Sequence, residues 1–208
     1  MIRSILARIA ILSLLALSQL FPLIAEDKLS QGIELYESRK YRDAETVLRE
    51  ALVEDANNSR ARHTLGLVLL ELDNPGEAAT ELQKAVEIGP ATDKLQVDLA
   101  RAHVQLKEWD KAEADLKAAE EIKSDNPDIP YYRGMVGAAR KDYTAAAADF
   151  EKAIELNPGN AYAHYYAGLA YNSLKRRDKT VQHLDAFLTL APTAPEAKKV
   201  QAVLRAVR

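Results

Sequence analysis

Cysteine is absent from all 208 residues. That removes disulfides, thiolate metal sites and lipid attachment through an amino-terminal Cys. A strong net charge is missing too: the formal value is −3, and removing residues 1–25 takes two of 28 basic residues and none of 31 acidic ones, leaving −5. Mild acidity of this kind argues against nucleic acid or an anionic membrane as the main partner. Catalytic signatures are also lacking. There is no P-loop, no dinucleotide fingerprint and no Gly-x-Ser-x-Gly. The four histidines, His63, His103, His164 and His183, include no pair at the i, i+4 spacing of a helical zinc site. Ser124-Asp125-Asn126-Pro127-Asp128 has the acidic start of a metal loop but lacks the central Gly and terminal Glu of a calcium site. Acidic residues elsewhere, such as Glu50 and Glu54 or Asp115 and Glu120, lie among lysines and read as solvated helix faces. The expectation is a protein that is not an enzyme and carries neither cofactor nor metal.

What the chain has is repetition. From segment starts at Ala25, Ser59, Asp93, Pro127 and Ala161, the same pattern returns every 34 residues without insertion or loss. Place eight is small: Gly32, Gly66, Ala100, Gly134 and Gly168. Place twenty is Ala44, Ala78, Ala112, Ala146 and then Thr180, and place twenty-four is Leu48, Leu82, Leu116, Phe150 and Leu184. Ala51, Ala85, Ala119 and Ala153 follow three further on, with Phe187 as the exception, and Pro90, Pro158 and Pro192 punctuate three ends. Within each copy two segments of roughly fourteen residues carry apolar residues at helical spacing, such as Leu65, Leu69 and Leu72 followed by Ala78, Leu82, Ala85 and Val86. Polar hinges separate the two segments, as at Arg39-Lys40, Asp73-Asn74-Pro75-Gly76 and Lys107-Glu108. The small residue at place eight lets the two helix backbones approach. His103 stands at the place of Leu35 and Leu69, which predicts a packing role for it.

These residues resemble the tetratricopeptide (TPR) repeat, most clearly in Leu65-Gly66 with Ala78, Leu82, Ala85 and Pro90, and in Gly134 with Ala146, Phe150, Ala153 and Pro158. No copy has the family's early Trp, and the first and third replace the closing Pro with Ala56 and Ser124. One helix pair cannot enclose its own apolar face, so the pairs must stack. The predicted fold is all-α: a right-handed α-solenoid of five helix-turn-helix units over residues 26–194, closed by a capping helix over 195–208. In that helix Val200, Val203 and Leu204 form the apolar edge, and Glu196, Lys198, Lys199, Arg205 and Arg208 the wet side.

The resemblance also implies a binding face. In TPR proteins the first helix of each pair lines a concave surface through places two, five, nine and twelve. Carried over, the groove takes Leu29, Ile33 and Tyr36 from the first copy, His63, Leu67 and Leu70 from the second, and Val97, Arg101 and Val104 from the third. Tyr131 and Met135 follow from the fourth, and Tyr162, Tyr165, Leu169 and Asn172 from the fifth. This describes a mostly apolar wall, aromatic toward its carboxyl-terminal half, with Arg60, Lys94 and Arg101 as a basic patch. Tyr131, Tyr132, Tyr165 and Tyr166 serve equally well as anchors for a peptide or as packing between successive first helices. The Lys and Asn residues of the carboxylate clamp that holds heat-shock protein tails are absent: the fifth places carry no Lys and the ninth no Asn. The expected partner is a protein or peptide segment of unstated identity, and a second copy of the chain is the alternative.

At the amino terminus, Arg3 and Arg8 precede an acid-free apolar run from Ile9 to Leu17, then Ser18 to Ala25. This is the order of a secretory signal peptide, cleaved after Ala25 or Ser18, with a retained anchor over residues 5–24 as the alternative. A spanning helix needs about 20 apolar residues, and one drawn from Ile5 to Ile24 would include Arg8, Gln19 and Pro22. The expectation is a periplasmic or secreted protein.

Overall fold

The computed structural model describes residues 27–123 and 125–208. The amino-terminal segment, with its expected signal, lies outside them. The described chain is helical throughout, without a strand. After α1 (residues 27–37) come α2 (Tyr41–Glu54), α3 (Ser59–Glu71), α4 (Pro75–Ile88), α5 (Asp93–Gln105) and α6 (Trp109–Ile122). They are followed by α7 (Asp128–Ala139), α8 (Tyr143–Leu156), α9 (Ala161–Ser173), α10 (Arg177–Leu190) and α11 (Ala197–Val207). The chain forms two compact units, one ending at Ala91 and the other running from Thr92 to Arg208.

Each first helix ends in the same turn. Arg39, Asp73, Lys107, Lys141 and Lys175, all at place fifteen, adopt φ between 57° and 64°. The next amide closes the turn by donating to the carbonyl five residues back, as in Lys40 to Leu35 and Asp142 to Gly137, both at 2.9 Å. This geometry satisfies carbonyls the helix end would leave unpaired. First helices begin on side-chain caps at place thirty-four. Asn58, Thr92 and Asn160 accept from the amides of Ala61, Leu95 and Ala163 at 3.0, 3.2 and 3.0 Å. Asn126 accepts from the Asp128 amide at 3.0 Å and donates to Asp93 at 2.8 Å, tying the start of α7 to the start of α5.

In the first unit, a Cβ built on Gly66 would lie 2.5 Å from Leu82 Cγ, so the side chain of α4 occupies the space that glycine leaves on α3. In the second unit Gly134 and Gly168 stand in the same way against Phe150 and Leu184. At the carboxyl-terminal end α11 buries Ala197, Val200 and Leu204, the last two packed with Leu184, Phe187 and Tyr165. Val203 is only half-buried, and Lys198, Lys199, Arg205 and Arg208 are exposed.

Candidate binding face

In the second, third and fifth copies the polar contacts between paired helices follow one register. Place twenty-three of the second helix faces places four and eleven of the first. In the second copy Glu81 pairs with Arg62, and in the third Asp115 Oδ2 meets His103 Nδ1 at 2.6 Å. His103 is therefore packed, at 8% exposure, and also hydrogen-bonded. In the fifth copy His183 meets both His164, at 3.2 Å, and the ring of Tyr171, stacked at 5.6 Å. The histidine pairing arises between helices, at a separation of 19 residues, so a search for i, i+4 pairs misses it. The signal was available: Arg62 and Glu81, opposite charges at the same separation, mark the register three copies earlier. Among the described residues no group of three His, Cys, Asp or Glu is placed to hold a metal ion.

The predicted groove residues divide by burial. Leu29 (1%), Leu70 (4%), Val97 (2%), Val104 (6%) and Tyr165 (7%) belong to the core, which corrects their assignment to an accessible wall. At these five positions of places five and twelve the side chains turn into the helix packing, whereas Tyr36, His63 and Tyr131 at the same places are half-buried and Asn172 is exposed. Val97 packs with Ala100, Leu116, Ala119 and Ile129, and Tyr165 with Leu184, Phe187, Val200 and Leu204. In the first unit Ile33, Tyr36, His63 and Leu67 are half-buried, and Tyr36 lies 6.0 Å from the ring of Tyr41.

In the second unit α7 packs against both α5 and α9, so three first helices present a common side. Its α5 end is charged. Lys94 is exposed and Arg101 half-buried, and both act on Asp128 of α7. Desolvation, with Asp98 nearby, raises the Asp128 carboxyl above the usual range against the pull of Arg101 and Lys94. The α7–α9 end is aromatic and apolar. Tyr131, Met135, Tyr166 and Leu169 are half-buried, Asn172 is exposed, and Tyr162 stands out at 38% exposure. Its hydroxyl donates to Glu196 beside α11 at 3.1 Å.

The rings form a continuous chain. Tyr131 meets Tyr132 at 5.0 Å and Tyr166 at 6.1 Å, Tyr166 meets Tyr165 at 5.0 Å, and Tyr165 meets Tyr162 at 6.2 Å, all edge to face. Phe150 stacks under Tyr166 at 5.7 Å, and Phe187 lies 5.2 Å from Tyr165. Of the four tyrosines open to either reading, Tyr165 packs between helices and Tyr131, Tyr132 and Tyr166 are half-buried in the same chain of rings, while Tyr162 keeps an accessible face. Burial raises the hydroxyl pKa of Tyr131 and Tyr166, so both remain neutral donors across the ordinary pH range. Asn172 borders a cavity of about 270 Å³ lined also by Lys175, Arg177, Thr180, Ala206 and Val207.

The family model described as "Tetratricopeptide repeat" matches residues 29–93, 97–161 and 138–195. A curated relative, the DnaJ homolog subfamily C member 7 homolog of Schizosaccharomyces pombe (strain 972 / ATCC 24843), is 30% identical over 108 residues. The match covers 50% of this chain and 23% of the relative, so it spans about a quarter of that protein's length. Among solved structures, that of YrrB, described as a TPR protein with an unusual peptide-binding site, superposes with a TM-score of 0.62 at 23% identity. It covers 84% of this chain and 90% of its own. The structure of pilF from Pseudomonas aeruginosa superposes with a TM-score of 0.76 at 17% identity, covering 90% and 85%. At these identities the two structures establish the all-α solenoid fold and nothing finer.

Proposed function

Because the chain belongs to the tetratricopeptide repeat family, whose members bind proteins or peptides and are generally not catalysts, we propose that it is an adaptor of the cell envelope. On this reading it grips an extended or helical segment of another protein on the α5–α7–α9 side of its second unit. The observation that carries the reading is the graded composition of that side: Lys94, Arg101 and Asp128 at one end, Met135, Leu169 and the 38%-exposed Tyr162 at the other. Large amphipathic rings held by their neighbours offer contact area at small entropic cost. Charges at the opposite end would set the orientation of the bound segment. Five residues of the sequence-derived groove, Leu29, Leu70, Val97, Val104 and Tyr165, are buried, so the contact on this reading is narrower and more polar than the mostly apolar wall expected from the sequence.

The test is selection of random displayed peptides on the full chain. Enriched peptides should pair an apolar or aromatic residue with charge, and Leu169→Asp with Tyr162→Ala should abolish their capture while leaving helicity unchanged. Equal capture by the folded double variant would refute this surface. The envelope location rests on the order of charge and apolar residues over residues 1–25, and sequencing of the mature amino terminus tests it. A first residue of Glu26 or Gln19 would support export by a cleaved signal, and an intact Met1 in a soluble cytoplasmic fraction would refute it.

A further inference from the structure

The fifth copy differs from the others in filling its inter-helix polar register with two imidazoles. His183 on α10 meets His164 on α9, Nδ1 to Nδ1, at 3.2 Å, with ring centroids 5.4 Å apart. Each ring nitrogen holds either a proton or a lone pair, so this contact requires one proton between the two. The other nitrogen of His183, Nε2, lies 3.4 Å from Glu151 Oε1 on α8. That oxygen also accepts from the Tyr171 hydroxyl of α9 at 2.9 Å and from Lys179 Nζ of α10 at 3.0 Å. The Pro158 carbonyl accepts from the ring of His164. His183 is 4% exposed, so its ring has almost no water to turn to. The charged and titratable groups facing the pair are therefore Glu151 from α8, Tyr171 from α9 and Lys179 from α10. Lys179 already balances the charge of Glu151.

The proton count sets what this arrangement can hold. With both rings neutral, one N–H lies between them. One added proton makes His183 a cation whose two N–H groups both find acceptors, His164 Nδ1 and Glu151 Oε1. A second proton has to go on His164 Nδ1, the atom that is accepting, and would place two hydrogens and two positive charges across a 3.2 Å gap. The rings must then part, and with them the facing turns of α9 and α10.

We propose that the His164–His183 contact is an acid-sensitive latch on the fifth copy, which opens α9 from α10 as pH falls and so withdraws the Tyr162 and Leu169 face from its partner. The inference builds on the binding surface proposed above and adds its regulation. Burial holds both imidazoles below their ordinary 6.5, with the Glu151 contact opposing this at His183. A group whose pKa is depressed in the closed form binds protons better in the open form. The latch is therefore fully closed above about pH 6.5 and weakens as pH falls below it, the opening equilibrium rising about tenfold per pH unit for each proton refused.

Hydrogen exchange of the full chain, corrected for intrinsic rates, reads this directly between pH 7.5 and 5.5. Protection of α9 and α10 should fall several-fold, up to about tenfold for the one refused proton, while α3 and α4, in the other unit, stay constant. His164→Gln, at the more accessible of the two positions, keeps an acceptor for His183 without a second titration and should remove most of the acid response. Equal acid sensitivity in α3–α4 and α9–α10, or in wild type and His164→Gln, would overturn the latch. The exchange readout needs no partner. Acid opening without release of a selected peptide would thus refute the α9 binding surface and leave the latch standing, whereas no opening would refute the latch alone.

Discussion

Two glycines on α7 should respond to the same substitution with opposite sign. Alanine is favoured over glycine in a helix interior by about 1 kcal/mol, so either replacement gains that much in propensity. At Gly137 the new Cβ would lie 3.4 Å from the Ala146 nitrogen and 3.5 Å from its Cα and Cβ, ordinary contact distances. The gain should survive there, and stability should rise by about 0.5–1 kcal/mol. At Gly134 the Cβ would fall 2.8 to 2.9 Å from three atoms of the Phe150 ring. That ring is fully buried and stacked against Tyr166 at 5.7 Å, so it cannot swing away. Overpacking costs about 1–3 kcal/mol, and against a ring that cannot move the upper part of that range applies, about 2–3 kcal/mol, which exceeds the propensity gain. The net loss should be about 1–2 kcal/mol, or a Tm lower by about 2–8 °C for a chain of this length. Thermal and urea unfolding of both variants, followed by circular dichroism, measures the difference. In a Phe150→Ala background the Gly134→Ala penalty should largely vanish, because the side-chain atoms it meets are gone. A Gly134→Ala protein as stable as Gly137→Ala would refute the claim that place eight is small because a second-helix side chain fills it.

Lys141→Gly should stabilise the chain by about 0.5–1 kcal/mol in chemical denaturation, because a side-chain-bearing residue there holds φ at 64°. Lys141→Pro, unable to reach positive φ, should do the reverse. Glu81 is buried, and although burial raises its pKa, the hydrogen bonds from Lys84 and Arg62 outweigh this and hold it below 4.5. Its ionised form thus stabilises the fold above about pH 4.5, and the contribution is lost as pH falls through the depressed value. Glu81→Gln should accordingly cost about 1–3 kcal/mol at pH 7 and much less near pH 3, readable from denaturation midpoints at the two pH values. Arg140→Ala removes contacts at 2.5 Å to Asp110 and Glu113, yet the guanidinium and both carboxylates are substantially exposed. Its effect on the denaturation midpoint should be small and shrink further in high salt.

The period of the sequence, its small place-eight residues and its polar hinges made the helix pairs legible, because each records a constraint met in successive copies. The left-handed residue at place fifteen was not legible as such. Arg39, Lys107, Lys141 and Lys175 are ordinary surface residues, and the turn that strains them is a property of the backbone. The direction of places five and twelve was also hidden. An apolar stripe at helical spacing marks which side of a helix avoids water, but it does not tell core from the rim of a binding surface, and Val97, Val104 and Tyr165 fell on the core side of that line. Tyr162 differs from Tyr165 by one helical turn and by five-fold in exposure, 38% against 7%: both rings meet Phe187, but Tyr165 is also buried among Leu184, Val200 and Leu204. The His164–His183 contact was recoverable only by reading place four against place twenty-three across copies.

The most direct test of the proposed binding surface is site-specific photocrosslinking in the native cell from a reactive amino acid at position 162, with position 152 on the exposed side of α8 as the control. Position 162 serves because Tyr165, though on the same helix, is buried. The account predicts that one segment of a foreign protein is captured reproducibly from position 162 and not from 152, and that Leu169→Asp abolishes the capture. Equal capture from both positions, or capture only of a second copy of the chain, would contradict it.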